Sequence, residues 1–201
     1  MIISVHVIFK KGKKMDEVFE SLSLEELLGD YAGVSDAWYW IGMAYMERGD
    51  YQDAAKWLDK TKNDTGDHGW QGKATLNLGT LYWKFLNRKQ DAMRLFESIP
   101  SFALARLYAG YMYFSGDGVT RDAGKGLRYV EESIQTIINA RGNDDLFAGN
   151  ECFWIAEVFC ESGKREKAKE YLSKTIARCN TSYASERDLM ERARGLLLEL
   201  G

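Results

Sequence analysis

Proline occurs once in 201 residues, at Pro100, cysteine three times and histidine twice. A chain with one proline has almost nothing to interrupt helices, because proline removes a backbone donor and clashes inside a helix. Cys152, Cys160 and Cys179 are odd in number and lack a C-x-x-C spacing, so neither a disulfide framework nor a zinc ribbon is expected. Such thiols suit a reduced, cytoplasmic setting. Charge of one sign is also missing: 27 basic residues face 30 acidic ones, a formal net of −3. That balance argues against nucleic acid as the main partner, which needs a concentrated basic face. Long apolar runs are absent too. The run Ile2–Phe9 is too short to span a bilayer, and Lys10, Lys11, Lys13 and Lys14 follow it, where a secretory signal would place its charges first. Residues 1–14 read as a tail or arm.

What is abundant is apolar and aromatic. The hydrophobic fraction is 45%, with six Trp, eleven Tyr and nine Phe. These side chains recur in a repeating order. "WYWIGMAYMERGDYQDAAKWL" (38–58) lies over "CFWIAEVFCESGKREKAKEYL" (152–172) at a constant offset of 114, without a gap. Trp40 falls on Trp154, Gly42 on Ala156, Tyr45 on Phe159, Gly49 on Gly163 and Ala54 on Ala168. Two further copies start from Gly79 and Gly110, so the small residues at 42, 79, 110 and 156 are spaced by 37, 31 and 46. Such spacings fit helical-hairpin repeats.

In each copy a small residue lies three positions before an aromatic, on one helical face. A mid-helix glycine costs about 1 kcal/mol relative to alanine. Close approach of a second helix, through Ala54, Ala92 or Ala168, is the expected compensation. The fold class is therefore all-α. The expected organisation is one domain over 15–201: a capping helix at 15–29, hairpins at about 36–64, 73–99, 102–140 and 149–179, and a closing helix at 185–200. The apolar end of that helix, Leu196, Leu197, Leu198 and Leu200, either tucks into the last groove or meets a second chain as a homodimer, and packing is the expectation.

The motifs that suggest chemistry dissolve on inspection. "SGDGVTRD" (115–122) follows an amphipathic helix rather than a strand and lacks the G-x-x-x-x-G-K-[ST] order, so it reads as a turn and not a phosphate cradle. Gly116 is placed to end one helix in the left-handed conformation and Asp122 to cap the next. Asp64, Asp67 and His68 have no companion ligand, and the segment reads as an inter-repeat loop. Cys152 and Cys160 are eight apart on one helix, beyond a shared metal or disulfide. Glu157 and Glu161 form one acidic helical face. No catalytic residue, metal site or cofactor is expected, and the chain reads as a non-enzyme with no small-molecule substrate.

The pattern carried by Trp38, Ile41, Gly42, Tyr45, Gly49, Tyr51 and Ala54 resembles a tetratricopeptide repeat. Gly110, Tyr113, Gly116, Gly118, Val119, Asp122 and Lys125 resemble the related Sel-one-like repeat, with departures at Ala109, where that family prefers leucine, and at Gly126, where it has alanine. The resemblance covers roughly residues 36–178. It implies a right-handed superhelical solenoid of stacked antiparallel hairpins that binds protein or peptide in a concave groove, as a scaffold without a membrane segment. Carried over, the groove residues are Tyr39, Met43 and Met46, then Leu76, Thr80 and Trp83, then Leu107, Tyr111 and Phe114, then Phe153, Glu157 and Cys160. Asn77 matches one member of the family's carboxylate clamp, but Leu104 and Tyr108 stand where lysine and arginine are needed. A nucleic-acid-binding α-solenoid is the alternative, and only Lys10–Lys14, outside the array, supplies a basic run for it.

Overall fold

A computed structural model describes residues 15–66, 69–180 and 182–201. Residues 1–14, Asp67 and His68 lie outside the described residues, and with them the expectations for the tail and for the histidine of the 64–68 loop. Among the described residues all regular structure is helical: α1 (Met15–Glu20), α2 (Leu24–Asp30), α3 (Ser35–Arg48), α4 (Tyr51–Lys62), α5 (Gln71–Lys84), α6 (Lys89–Ser98), α7 (Ala103–Ser115), α8 (Ala123–Arg141), α9 (Gly149–Glu161), α10 (Arg165–Arg178) and α11 (Ala184–Glu199). They gather into two compact units, the second beginning at Pro100.

The first unit holds α1–α6. Its N-terminal stretch, expected as one helix, is two. Ser23 stops the run: its Oγ accepts from the Glu26 N–H at 3.3 Å while Glu26 Oε2 accepts from the Ser23 N–H at 2.8 Å. This reciprocal capping box restarts the chain as α2 and is legible as S-x-x-E. Phe19, Leu24, Leu27 and Tyr31 are buried with Ala37 and Ile41 of α3, so α1 and α2 cover the outer face of the first hairpin. The α3/α4 and α5/α6 hairpins follow, and α4 packs on α5. In the second unit α7/α8 and α9/α10 are the hairpins, and α11 packs on α10 and α9. Ala193 is fully buried, and Leu189, Leu196, Leu197 and Leu200 pack on the core of this unit. Leu198 does not: it is 82% exposed.

Each hairpin closes as the small residues require. A Cβ on Gly42 would lie 2.9 Å from Leu58 Cγ, and one on Gly79 would lie 2.5 Å from Phe96 Cε1. At Gly110 and Gly126 the approach is closer in kind: a Cβ on Gly126 would meet the Gly110 carbonyl, Phe114 Cβ and the Phe114 backbone nitrogen, all at 2.8 Å. Two backbones touch there, which leaves room for glycine alone at 126. Ala156 and Ala168 are both fully buried in the last hairpin.

The glycine-rich segment is a turn. Gly116 caps α7 with φ 75°, Asp117 and Asp122 donate backbone N–H bonds to Met112 and Tyr113, and Asp122 Oδ1 accepts from the Lys125 N–H at 2.9 Å. Gly49 ends α3 in the same left-handed region at φ 82°. In the second hairpin Asn87 takes that conformation, with φ 52°, a position its short polar side chain tolerates.

Candidate interaction face on the first helices

The small residue fixes which way every other side chain of its helix points. Successive residues turn by roughly 100°. Positions three before and four after the small residue therefore lie within about 60° of the second helix, whereas the position one after lies about 100° away. The expected groove residues sort on this rule. Tyr39, Leu107 and Phe153, each three before, are buried, and so are Trp83 and Phe114, each four after. These five are buried by packing and offer a ligand little or no surface. Phe114 backs directly onto Gly126, and Trp83 meets Phe96 edge to face at 6.3 Å. Met46, Leu76 and Cys160, at the same two positions, remain half-buried. Met43, Thr80, Tyr111 and Glu157, each one after, are half-buried in all four first helices.

A second row escaped the sequence reading. Trp40, Asn77, Tyr108 and Trp154 stand two before the small residue, about 160° from the packing direction, and all four are half-buried. Counting outward from the small residue would have found them. Their recurrence as large or amide side chains was the visible signal.

The two rows are tied together within each unit. In the first, Asn77 Nδ2 donates to Tyr39 Oη at 2.9 Å and lies 3.1 Å from Met43 Sδ. Tyr39 stacks on Trp70 with centroids 4.7 Å apart, and Trp40 meets Trp70 edge to face at 5.3 Å. The Trp40 indole Nε1–H is buried with no acceptor among the described residues. Asn77 thus spends its amide inside the wall instead of forming a carboxylate clamp.

In the second unit Tyr111 Oη donates to Glu157 Oε2 and Tyr108 Oη to Glu151 Oε1, both at 2.8 Å. Trp154 stacks on Tyr111 at 5.0 Å and presents its edge to Tyr108 at 6.0 Å. Glu151 is itself fixed, its Oε2 accepting the Ala148 N–H at 2.7 Å at the start of α9. Arg192 of α11 reaches toward Glu157 Oε1 at 3.6 Å and lies over the Phe153 ring at 4.6 Å. The closing helix therefore covers part of α9, including the ring expected to face a ligand.

Burial sets the proton chemistry. It pushes both Tyr108 and Tyr111 phenols far above their ordinary value, reinforced by the carboxylates they bond. Each hydroxyl stays a donor and neither can serve as a base near neutrality. Burial also pushes the Glu157 carboxyl up, opposed by the Tyr111 bond and Arg192. Cys152 is buried and its thiol is pushed up to about 11, mainly by desolvation, which makes it a core residue and not a nucleophile. No group of His, Cys, Asp and Glu among the described residues could hold a metal ion. No helix among them is long and apolar enough to cross a membrane.

Antiparallel hairpins closed by small residues, with a second set of side chains turned away from the seam, define a helical-repeat protein. Residues 22–68 match the family model described as tetratricopeptide repeat. The matched stretch spans α2 and the α3/α4 hairpin. Two solved structures are similar. "Crystal structure of MamA" is 19% identical with a TM-score of 0.49, over 89% of this chain and 96% of that one. "Crystal structure of MamA protein" is 17% identical with a TM-score of 0.47, over 84% and 87%. No curated protein matches the chain.

Proposed function

We propose that this protein is a non-catalytic, cytoplasmic scaffold that holds segments of other proteins against the first-helix faces of its hairpins. One observation carries the reading: in all four first helices the two rows turned away from the seam stay partly open, and they are filled by Trp40, Met43, Asn77, Thr80, Tyr108, Tyr111, Trp154 and Glu157. Aromatic and methionine side chains give broad contact area to a peptide with little demand on its sequence. Tyr111, Trp154 and Glu157 are pre-ordered by one another, which lowers the entropy lost on binding.

The test is affinity capture from lysate with mass spectrometry, comparing the wild type with Met43→Lys and Tyr111→Ser. Wild type should retain a defined set of proteins that the variants lose at unchanged helicity. Retention of the same set by both variants would place binding elsewhere. Capture of RNA whose affinity falls steeply with salt would replace the protein-scaffold reading by the nucleic-acid one.

A further inference from the structure

Charge is unevenly placed along the chain. Residues 15–50 hold nine Asp and Glu against a single base, Arg48, although the formal net charge of the whole chain is only −3. The imbalance reaches the surface where α1 ends, α2 begins and α3 ends. Glu20, Glu25, Glu26, Glu47 and Asp50 are all exposed. Arg48 Nη1 meets Glu25 at 2.8 Å and its Nε lies 3.5 Å from Asp50, so the one cation of this stretch is shared between two carboxylates. Glu20 and Glu47 have no ion-pair or hydrogen-bond partner among the described residues. Carboxylates gathered around one guanidinium leave a negative field that attracts a basic segment.

This patch borders the first-helix face. Helix α1 packs on α3. Trp40, half-buried in the outward row, packs against the cluster that holds Phe19 of α1. Burial pushes the Tyr39 phenol up against the Asn77 bond, and the Glu20 carboxylate adds to the rise, so Glu20 stands within electrostatic reach of that wall.

Residues 1–14 join α1 directly at Met15. They carry Lys10, Lys11, Lys13 and Lys14, no Asp or Glu, and the apolar run Ile2–Phe9. Helix α1 has six residues and is about 9 Å long. Four extended residues cover about 13 Å, so a chain doubling back along α1 sets Lys10 and Lys11 beside Glu20 and the start of α2. The run Ile2–Phe9, about 26 Å when extended, then exceeds the length of the 14-residue α3, about 21 Å. A separate basic peptide would have to compete with a segment held by a short tether at an effective concentration on the order of millimolar.

We propose that residues 1–14 are the occupant of this surface: Lys10–Lys14 sit on the carboxylates of Glu20, Glu25 and Glu47, and the Ile2–Phe9 run lies over Trp40. The segment is then a built-in competitor at the α3 end of the first-helix faces, a role that rests on the scaffold reading above, whereas the docking itself does not.

The test places bimane on Val5→Cys in the full chain, with Cys152→Ala, Cys160→Ala and Cys179→Ala, because tryptophan quenches bimane on contact. Emission at low salt should be about half of that in about 1 M NaCl, where the Debye length is about 3 Å. Glu20→Gln with Glu47→Gln, at exposed side chains that can be replaced without unfolding, should raise the low-salt emission about twofold. Trp40→Phe should raise it as much, and Trp154→Phe should leave it unchanged. Circular dichroism confirms that each variant remains helical. The emission is read with no other protein present, so failure of the docking and failure of the scaffold reading are separate results. The proposal is overturned if salt leaves the emission unchanged, or if the carboxylate variant or the Trp40 variant stays as quenched as the parent. A quench that grows with protein concentration also overturns it, by giving the surface to the segment of a second copy.

Discussion

The two units solve one packing problem in two ways. In the first, each seam glycine faces a side chain, Leu58 opposite Gly42 and Phe96 opposite Gly79. In the second, Gly110 and Gly126 bring two backbones together, and in the next hairpin Ala156 and Ala168 are both fully buried. A side chain can give way by rotating, whereas a backbone can yield only by moving the helix. The comparison teaches that one sequence motif encodes seams of different tolerance, decided by what the second helix presents to the glycine.

That contrast breaks most visibly at Gly126→Ala. The added methyl meets main chain on α7, so a loss of more than about 3 kcal/mol is expected, well beyond the roughly 1 kcal/mol that alanine returns as a better helix former. Thermal unfolding should show a fall in Tm on the order of 10 °C; a change under a couple of degrees would mean the helices do not touch there.

Next comes Asp144→Asn, which leaves Lys174 beside a neutral amide in the corner of the second unit. A loss of about 3 kcal/mol at neutral pH is expected from breaking a buried pair. Burial alone works against the Asp144 charge, but hydrogen bonds from Lys174 and Tyr171 outweigh it and hold the carboxyl below its ordinary range. Because the folded-state value is depressed, this stabilisation is full above the unfolded value near pH 4 and fades as pH falls through the folded one. Denaturation curves of variant and wild type should thus converge only below about pH 4. A constant gap across that range would remove the charge from the explanation.

Gly79→Ala is the milder seam test. Its methyl meets the Phe96 ring, and ring displacement should cost about 1–2 kcal/mol in chemical denaturation. A loss matching that of Gly126→Ala would erase the distinction between the units. Smallest and opposite in sign is Gly195→Ala on α11, where a Cβ meets nothing within 4 Å. It should gain about 0.5–1 kcal/mol from helix propensity, and a loss would show that the outer face of α11 is covered in solution.

Much of the hairpin scheme was legible because it rests on local rules: the recurrence of Gly42, Gly79, Gly110 and Ala156, the left-handed stops at Gly49 and Gly116, and the Asp122 cap. The split at Ser23 was legible too, as a capping box, but was overshadowed by the apolar periodicity running through it. The interaction face was only half readable. Positions taken from the family pattern mixed two directions around the helix, and Leu107, Phe153, Trp83, Phe114 and Tyr39 turned out to be buried. Turning outward from the small residue recovers the row at Met43, Thr80, Tyr111 and Glu157 and adds Trp40, Asn77, Tyr108 and Trp154.

The most direct test of the outward-row account is maleimide labelling of single cysteines in a Cys152→Ala, Cys160→Ala, Cys179→Ala background, comparing Met43→Cys with Tyr39→Cys and Tyr111→Cys with Leu107→Cys. The positions after the small residue should label at least about tenfold faster than those three before it, since a buried thiol is both shielded and harder to ionise. Equal rates within either pair would contradict the assignment of the two faces.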